Sequence, residues 1–229
     1  MIEKVQQQTP SGRTVRGSLA KPGKSHAPGL IIIHEWWGFL PEMEEIAEKF
    51  AHEGFLTLAV DMYDGKTADT HEGARKLQNA VDKPQALELA ATWVKWLRDH
   101  PDGNGKVGVL GYCFGGAWSL NFSIAVPVDA TVIYYGYVNK TADELKSLAG
   151  PVLGHFGQHD KVPHATPEAA QAFEVELRKA GKPAAIHIYD ADHAFCRVGF
   201  PTYDEKSANL SWQRSIEFLK RSLASSGKD

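Results

Sequence analysis

Short apolar runs without polar alternation are the feature that most constrains the fold of this 229-residue chain. The segments LIIIH at 30–34 and FLTLAV at 55–60 are nearly continuous apolar runs, as is typical of strands that are covered on both faces. Stretches with helical periodicity separate these and similar runs along the chain. Strands that alternate with helices predict an α/β fold with a doubly wound, mostly parallel sheet.

The same pattern predicts the individual elements. Because the chain contains no internal repeat and no long linker, we expect a single domain over residues 1–229. The first strand is more polar than the others, which favours an antiparallel strand at the edge of the sheet. The predicted strands lie at 14–19, 30–34, 55–60, 106–110, 130–135, 151–156 and 184–189, and the predicted helices at 42–52, 84–98, 114–124, 167–180 and 206–223.

Composition and charge exclude several classes of partner. The net charge of -3 gives no electrostatic reason to expect binding to nucleic acid or to an anionic membrane. No apolar run approaches the roughly 20 residues that span a bilayer. The polar N-terminal segment lacks the apolar core of a signal peptide, which favours a cytoplasmic location. The expected partner is a small molecule, with the chain acting as a monomer or a small homo-oligomer.

Histidine and cysteine residues do not follow the spacing of a metal site. The string HEWWG at 34–38 departs from the HExxH pattern, because Gly38 stands where the second histidine ligand belongs. His155, His159 and His164 are close in sequence but fall across a strand end and a loop. We therefore expect neither a metal nor a cofactor.

A candidate nucleophile lies at the end of the predicted strand at 106–110. The chain there reads GYCFGG, with a cysteine between small residues two positions away on either side. This spacing is typical of a sharp strand-to-helix turn that exposes a nucleophile, and glycine permits the close backbone approach that such a turn needs. Since free cysteine is also one of the most buried residue types, the motif alone leaves a packing role for Cys113 open.

Chain order identifies the partners that the thiol needs. A cysteine attacks well as a thiolate, so a base and an orienting carboxylate are the natural companions. In a large class of α/β enzymes the nucleophile comes first, the acid next and histidine last. Cys113, Asp160 and His193 follow this order, and each comes just after a predicted strand. Asp190 and Asp192 are the alternative acids.

With these residues in place, the chain resembles the dienelactone hydrolase family, the cysteine-based branch of the α/β hydrolases. The matching blocks are HEWWG at 34–38, GYCFGG at 111–116, YYG at 134–136, GQHDKVP at 157–163 and HAFCR at 193–197. The resemblance implies a compact α/β-hydrolase fold without a large lid domain, with Cys113, Asp160 and His193 as its catalytic triad. It also implies that the backbone N–H groups of Trp36 and Phe114 form the oxyanion hole.

The resemblance further implies how the thiol is controlled and what it attacks. Glu35 would hold the resting thiol and move away when substrate binds. Arg197 corresponds to one of two arginines that grip a substrate carboxylate. The position of the second is taken by His71, with Arg75 one helical turn later. Tyr134, from the YYG block, is a further candidate substrate-binding residue.

The leading hypothesis is therefore a cysteine hydrolase that opens an anionic enol-lactone, or a related activated ester, through a thioester acyl-enzyme. A broader carboxylesterase or thioesterase with the same triad is the alternative within this fold. A non-catalytic module that uses the hydrolase fold to bind a ligand is the alternative from another class, since fold alone does not fix function.

Overall fold

The computed structural model describes residues 2–225, and within them eight strands form one sheet that is packed against seven helices. The elements in chain order are β1 Ile2–Gln8, β2 Thr14–Ala20, β3 Ala27–Ile33, α1 Glu42–His52, β4 Leu56–Val60, α2 His71–Asn79, α3 Lys83–Arg98, β5 Gly103–Tyr112, α4 Phe114–Ala125, β6 Ala130–Tyr134, α5 Ala142–Leu145, β7 Val152–Gly157, α6 Pro167–Lys179, β8 Ala184–Tyr189 and α7 Glu205–Ser222.

The sheet is doubly wound and mostly parallel, which confirms the predicted fold class. Its strand order is β1-β2-β4-β3-β5-β6-β7-β8. The six strands from β4 to β8 in that order pair in parallel, whereas β2 is antiparallel to both β1 and β4. The prediction of an antiparallel strand at 14–19 is therefore confirmed, but its placement at the edge of the sheet was wrong, because β1 covers it.

The sequence pattern missed β1, α2 and α5, which have little apolar signal of their own. Strand β1 reads IEKVQQQ and pairs with β2 along its whole length, so its hydrogen bonds to a neighbour determine its conformation. Helix α5 has four residues and begins with a capping box between Thr141 and Glu144. Periodicity cannot identify so short a helix.

Apolar residues of the central strands pack on both faces of the sheet. Leu30 and Ile32 of β3 point into a cluster with α1 and α7, while Ile31 and Ile33 point into a second cluster with α3 and α4. A third cluster lies between β6, β7 and helices α4 to α6. This two-sided burial accounts for the continuous apolar runs of these strands and leaves their carboxyl ends as the edge where polar side chains gather.

Candidate active site

A strained turn between β5 and α4 carries the candidate nucleophile. Cys113 has a φ of 53° and a ψ of -111°, a conformation that L-residues rarely adopt and that clusters at functional sites. Its backbone N–H donates to the Tyr134 carbonyl oxygen at 2.9 Å. This bond ties the turn to the end of the neighbouring strand β6.

Two glycines around Cys113 allow the turn to form. A Cβ atom at Gly111 would lie 2.0 Å from the carbonyl oxygen of Gly115. A Cβ atom at Gly115 would lie 2.2 Å from the carbonyl oxygen of Ile33, at the end of β3. Backbone therefore packs directly on backbone on both sides of the nucleophile, which gives the small-residue spacing read from the sequence its physical cause.

The structure brings the candidate base and acid together. His193 Nδ1 lies 2.6 Å from Asp160 Oδ2, and the other carboxylate oxygen of Asp160 accepts the Val162 backbone N–H at 2.8 Å. Asp160 is buried, with 3% of its surface exposed. Because Nδ1 donates to this fixed carboxylate, the imidazole presents Nε2 on its other side.

The alternative acids do not reach His193. Asp190 instead pairs with His159 on the surface, at 2.7 Å, and Asp192 is exposed.

The surroundings of His193 favour its charged form. Burial alone lowers the pKa of His193, but hydrogen bonding and charge from Asp160 and from the adjacent Cys113 side chain outweigh it and raise the pKa to about 10. The imidazolium therefore persists at neutral pH, and it is lost as the pH rises through about 10.

The opposite wall of the site is built by residues after β3. His34 is fully buried, its Nε2 accepts the Met62 backbone N–H at 3.1 Å, and its Nδ1 donates to the Glu35 carbonyl oxygen at 2.6 Å. Burial lowers the pKa of His34 to about 4, so the ring is neutral and can make both bonds. The sequence analysis did not identify this structural role of His34. The signal that could have identified it is a histidine at the end of a buried strand.

The two predicted oxyanion donors lie in the segments that follow β3 and β5. Trp36 follows the loop that His34 fixes, and Phe114 is the first residue of α4. The first N–H groups of a helix have no acceptor within the helix, so the Phe114 N–H points out of the end of α4. The positive end of the helix dipole adds to its attraction for a developing negative charge.

Glu35 is paired with Arg197 rather than with the thiol. Arg197 donates to Glu35 Oε2 at 3.2 Å and to Glu42 Oε1 at 3.4 Å, and its guanidinium also lies over the rings of Trp37 and Phe200. Burial raises the pKa of Glu35 above its ordinary value, and the negative charge of Glu42 raises it further. The positive charges of Arg197 and His193 oppose this rise. Both sides of the Arg197 guanidinium are thus engaged by carboxylates of this chain.

A cavity of about 280 Å³ lies between α1 and α7. Cys113 and His193 are not among its wall residues, whereas Glu35 and Arg197 are. Tyr134 lies in its wall, with the hydroxyl 2.8 Å from Ser215 Oγ. Most of the wall is apolar or aromatic, and includes Trp37, Leu40, Met43, Ile46, Tyr112, Tyr135 and Trp212.

The two candidates for the second anion-binding residue differ in their contacts. The His71 ring meets the rings of Trp36 and Trp37 at centroid distances of 5.5 and 5.2 Å. Arg75 is exposed on α2, and we find no hydrogen bond or ion pair from it within residues 2–225. The structure therefore brings His71, but not Arg75, to the loop that carries Glu35.

Tyr135 is a site residue that the sequence analysis missed. It is buried, its φ is 38°, and its ring lies 5.1 Å from the His193 ring. The planes of the two rings meet at an angle of 62°, an edge-to-face arrangement. Its position directly after β6, next to a glycine, was the signal that could have identified it.

The described part of the chain offers no group of three or more histidine, cysteine or acidic side chains that could hold a metal ion. Within the same residues, no helix is long and apolar enough to cross a membrane.

Comparison with protein families and curated proteins places this geometry in context. The model of the dienelactone hydrolase family matches residues 15–223. The protein usf of Aquifex pyrophilus is 33% identical, with 93% of this chain and 96% of that protein covered. The carboxymethylenebutenolidase of Pseudomonas putida is 28% identical, with 96% of both chains covered.

Solved structures show the same fold. The dienelactone hydrolase-like promiscuous phosphotriesterase from metagenomic libraries has a TM-score of 0.83 and 23% identity, covering 97% of this chain and 99% of its own. An esterase of Pseudomonas putida has a TM-score of 0.77 and 14% identity, covering 98% of this chain and 83% of its own. The expected compact α/β-hydrolase fold is therefore confirmed.

Proposed function

Since this chain belongs to the dienelactone hydrolase family and is a hydrolase of ester or lactone bonds, we propose that it acts through a triad of Cys113, His193 and Asp160. The observation that carries this proposal is the 2.6 Å contact between His193 and the buried Asp160, beside a cysteine on a strained strand-to-helix turn. A thiolate, a positioned imidazole and a carboxylate are the parts that nucleophilic acyl transfer needs.

In the first half-reaction the Cys113 thiolate attacks the carbonyl carbon of the substrate. A sulfur–carbon bond forms and the carbonyl π electrons move onto oxygen, where the N–H groups of Trp36 and Phe114 stabilise the negative charge. Each such donor contributes about 3–4 kcal/mol in comparable sites. When the carbonyl re-forms, the ester carbon–oxygen bond breaks, and protonated His193 gives its proton to the leaving oxygen.

The second half-reaction releases the acid product. Neutral His193 takes a proton from water as the water oxygen attacks the thioester carbon. The carbon–sulfur bond then breaks, which returns the Cys113 thiolate beside an imidazolium. Asp160 keeps the imidazole oriented and stabilises its charged form throughout the cycle.

For the substrate we favour an anionic enol-lactone or a related activated ester. Arg197 offers a planar guanidinium at the site, and a substrate carboxylate can replace Glu42 as its partner on Nη2 while Glu35 pairs with Nη1. In this proposal the Glu35 carboxylate has two positions. In one it holds the Cys113 thiol of the resting enzyme, and in the other it pairs with Arg197. Moving Glu35 away from the thiol leaves the thiolate to His193.

A broader carboxylesterase activity is the second candidate, and the cavity favours it. Its mostly apolar wall suits an alkyl or aryl group better than a second charge. Arg75 is exposed on α2. Among residues 2–225, Arg197 is therefore the one arginine in contact with Glu35. Esters with a neutral apolar acyl group would then be turned over as well as anionic ones.

Replacement of the nucleophile tests the proposed function. Cys113→Ala should abolish turnover of a dienelactone and of activated aryl esters, while Cys196→Ala, which removes the other thiol, should leave turnover within a few-fold of the wild type. A panel of anionic lactones, neutral lactones, aryl esters and thioesters on the wild type then separates the two candidate substrate classes. Turnover retained in Cys113→Ala would reject the nucleophile.

A further inference from the structure

Tyr63 lies in the loop after β4, where hydrogen bonds from backbone N–H groups fix its position. Its N–H donates to Asp61 Oδ1 at 2.9 Å, and the preceding N–H, of Met62, donates to His34 Nε2 at 3.1 Å. The residue as a whole is 5% exposed. Tyr63 is therefore fixed by the same histidine that fixes the loop of Trp36.

The hydroxyl of this fixed side chain has no partner in the protein. Tyr63 Oη is one of three buried side-chain polar atoms in the described residues that make no hydrogen bond; the others are Trp93 Nε1 and Arg98 Nε. The hydroxyl of Tyr189, another buried tyrosine at a strand end, contacts His155 at 2.8 Å and Arg214 at 3.1 Å. Because an unpaired buried hydroxyl destabilises the folded state, its retention in a catalytic region needs an explanation.

Sheet topology places Tyr63 on the oxyanion side of the nucleophile. Strand β4 pairs with β3, and β3 pairs with β5, so the residues after these strands are neighbours. The Tyr63 ring lies 4.8 Å from the His34 ring and 5.2 Å from the Phe114 ring, centroid to centroid. Asp160 and His193 follow β7 and β8, on the other side of β5.

The environment also keeps this hydroxyl protonated. Burial raises the pKa of Tyr63 well above its ordinary value, and the negative charge of Cys113 raises it further. The hydroxyl thus lies within the electrostatic influence of the sulfur that attacks the substrate.

From this placement we infer that the Tyr63 hydroxyl is a catalytic donor that hydrogen-bonds to the carbonyl oxygen of the substrate as that oxygen becomes negative. The inference rests on the proposed thiolate mechanism. When the sulfur–carbon bond forms and the π electrons move to oxygen, Tyr63 adds a third donor to the N–H groups of Trp36 and Phe114. No proton needs to leave the phenol, and the bond is released when the carbonyl re-forms.

Removal of this one hydroxyl tests the inference. Tyr63→Phe should lower kcat roughly 10²-fold with little change in KM, the effect expected for loss of one oxyanion donor. Tyr189→Phe, which removes a hydroxyl already satisfied by protein groups, is the matched control and should leave kcat within a few-fold of the wild type. Unfolding in urea should show that Tyr63→Phe is at least as stable as the wild type.

Two further measurements separate a donor from a packing role. An aldehyde analogue of the substrate adds reversibly to the thiolate and places an oxyanion in the same position, so its affinity should fall in Tyr63→Phe by the same factor as kcat/KM. With a thionoester, whose sulfur accepts hydrogen bonds weakly, the difference between the wild type and Tyr63→Phe should shrink.

A Tyr63→Phe enzyme with unchanged kcat, or with an equal loss on ester and thionoester, would overturn the donor role. If that happened while Cys113→Ala was inactive, the proposed triad would stand and the inference about Tyr63 alone would fail.

Discussion

The triad region and the anion-binding region of this molecule are built in different ways. Cys113, Asp160 and His193 each follow a parallel strand, and neighbouring backbone or a carboxylate holds each one in place. Arg197 lies on the loop after β8, and Arg75 lies on the exposed face of α2. Strand ends therefore fix the groups that perform the chemistry, while a loop and a surface helix carry the groups that would select the substrate.

This difference predicts that substitutions in the triad region have large effects on every substrate, whereas substitutions in the anion-binding region have smaller effects that depend on the substrate. Among variants that keep the Cys113 thiol, the loss of the hydrogen bond between Asp160 and His193 should have the largest effect. Asp160→Asn should lower kcat about 10⁴-fold, because the amide no longer holds the imidazole in the productive tautomer. Steady-state kinetics on an aryl ester measures this, with Asp190→Asn as a surface control.

The same variant should change the pH dependence. Asp160 helps to raise the pKa of His193 to about 10, so its removal must lower that pKa. The residual activity of Asp160→Asn should therefore decline at a lower pH than that of the wild type, whose imidazolium is lost as the pH rises through about 10. NMR titration of the His193 ring measures the pKa directly, and an unchanged value would contradict the assigned pair.

The next largest effect should come from the backbone packing beneath the nucleophile. In Gly115→Ala the new Cβ would lie 2.2 Å from the Ile33 carbonyl oxygen, so β3 and α4 must separate. We expect a loss of about 3 kcal/mol or more in the free energy of unfolding, as for other strained core substitutions. Gly23→Ala is the control, since its Cβ would meet no atom within 4 Å. Urea unfolding with equal midpoints would contradict the role of the glycine.

Arg197→Ala should have an effect that depends on the substrate. We expect KM to rise about 10- to 100-fold for carboxylate-bearing substrates, the cost of losing a charge-assisted pair, with a smaller change for neutral aryl esters. Because Arg197 also lowers the pKa of Glu35, its removal should raise that pKa further. An equal change in KM for both classes of ester would exclude Arg197 as an anion anchor.

Arg75→Ala should have the smallest effect. The side chain is exposed and makes no ion pair within residues 2–225, so we expect kcat and KM within about two-fold of the wild type on all substrates. His71→Ala, which removes contacts to Trp36 and Trp37, should have the larger effect of the two. The opposite order, measured in parallel assays, would show that α2 presents Arg75 to the substrate.

The sequence allowed prediction of those parts of the fold that burial determines. The central parallel strands have continuous apolar runs because both their faces are covered, and their boundaries agree with the structure within a few residues. The pairing of the polar strand β1 depends on β2, which no local pattern encodes. The GYCFGG spacing identified the turn because the close approach of Gly111 and Gly115 to backbone permits no other residue.

Contacts between distant segments could not be predicted in the same way. The Glu35–Arg197–Glu42 cluster and the bond from Met62 to His34 join residues far apart in sequence. The burial of the unpaired Tyr63 hydroxyl likewise depends on which loops meet in the folded chain. Side-chain pairing at this level follows from tertiary packing rather than from local pattern.

The central claim, that Cys113 forms a thioester, is tested most directly by trapping the acyl-enzyme. Wild-type protein mixed with an activated aryl ester and quenched in acid within milliseconds should gain the mass of one acyl group, and peptide mapping should locate it on the segment that contains Cys113. His193→Ala should slow both formation and hydrolysis of this adduct. An acyl group on another residue, or turnover with Cys113 never modified, would contradict the account.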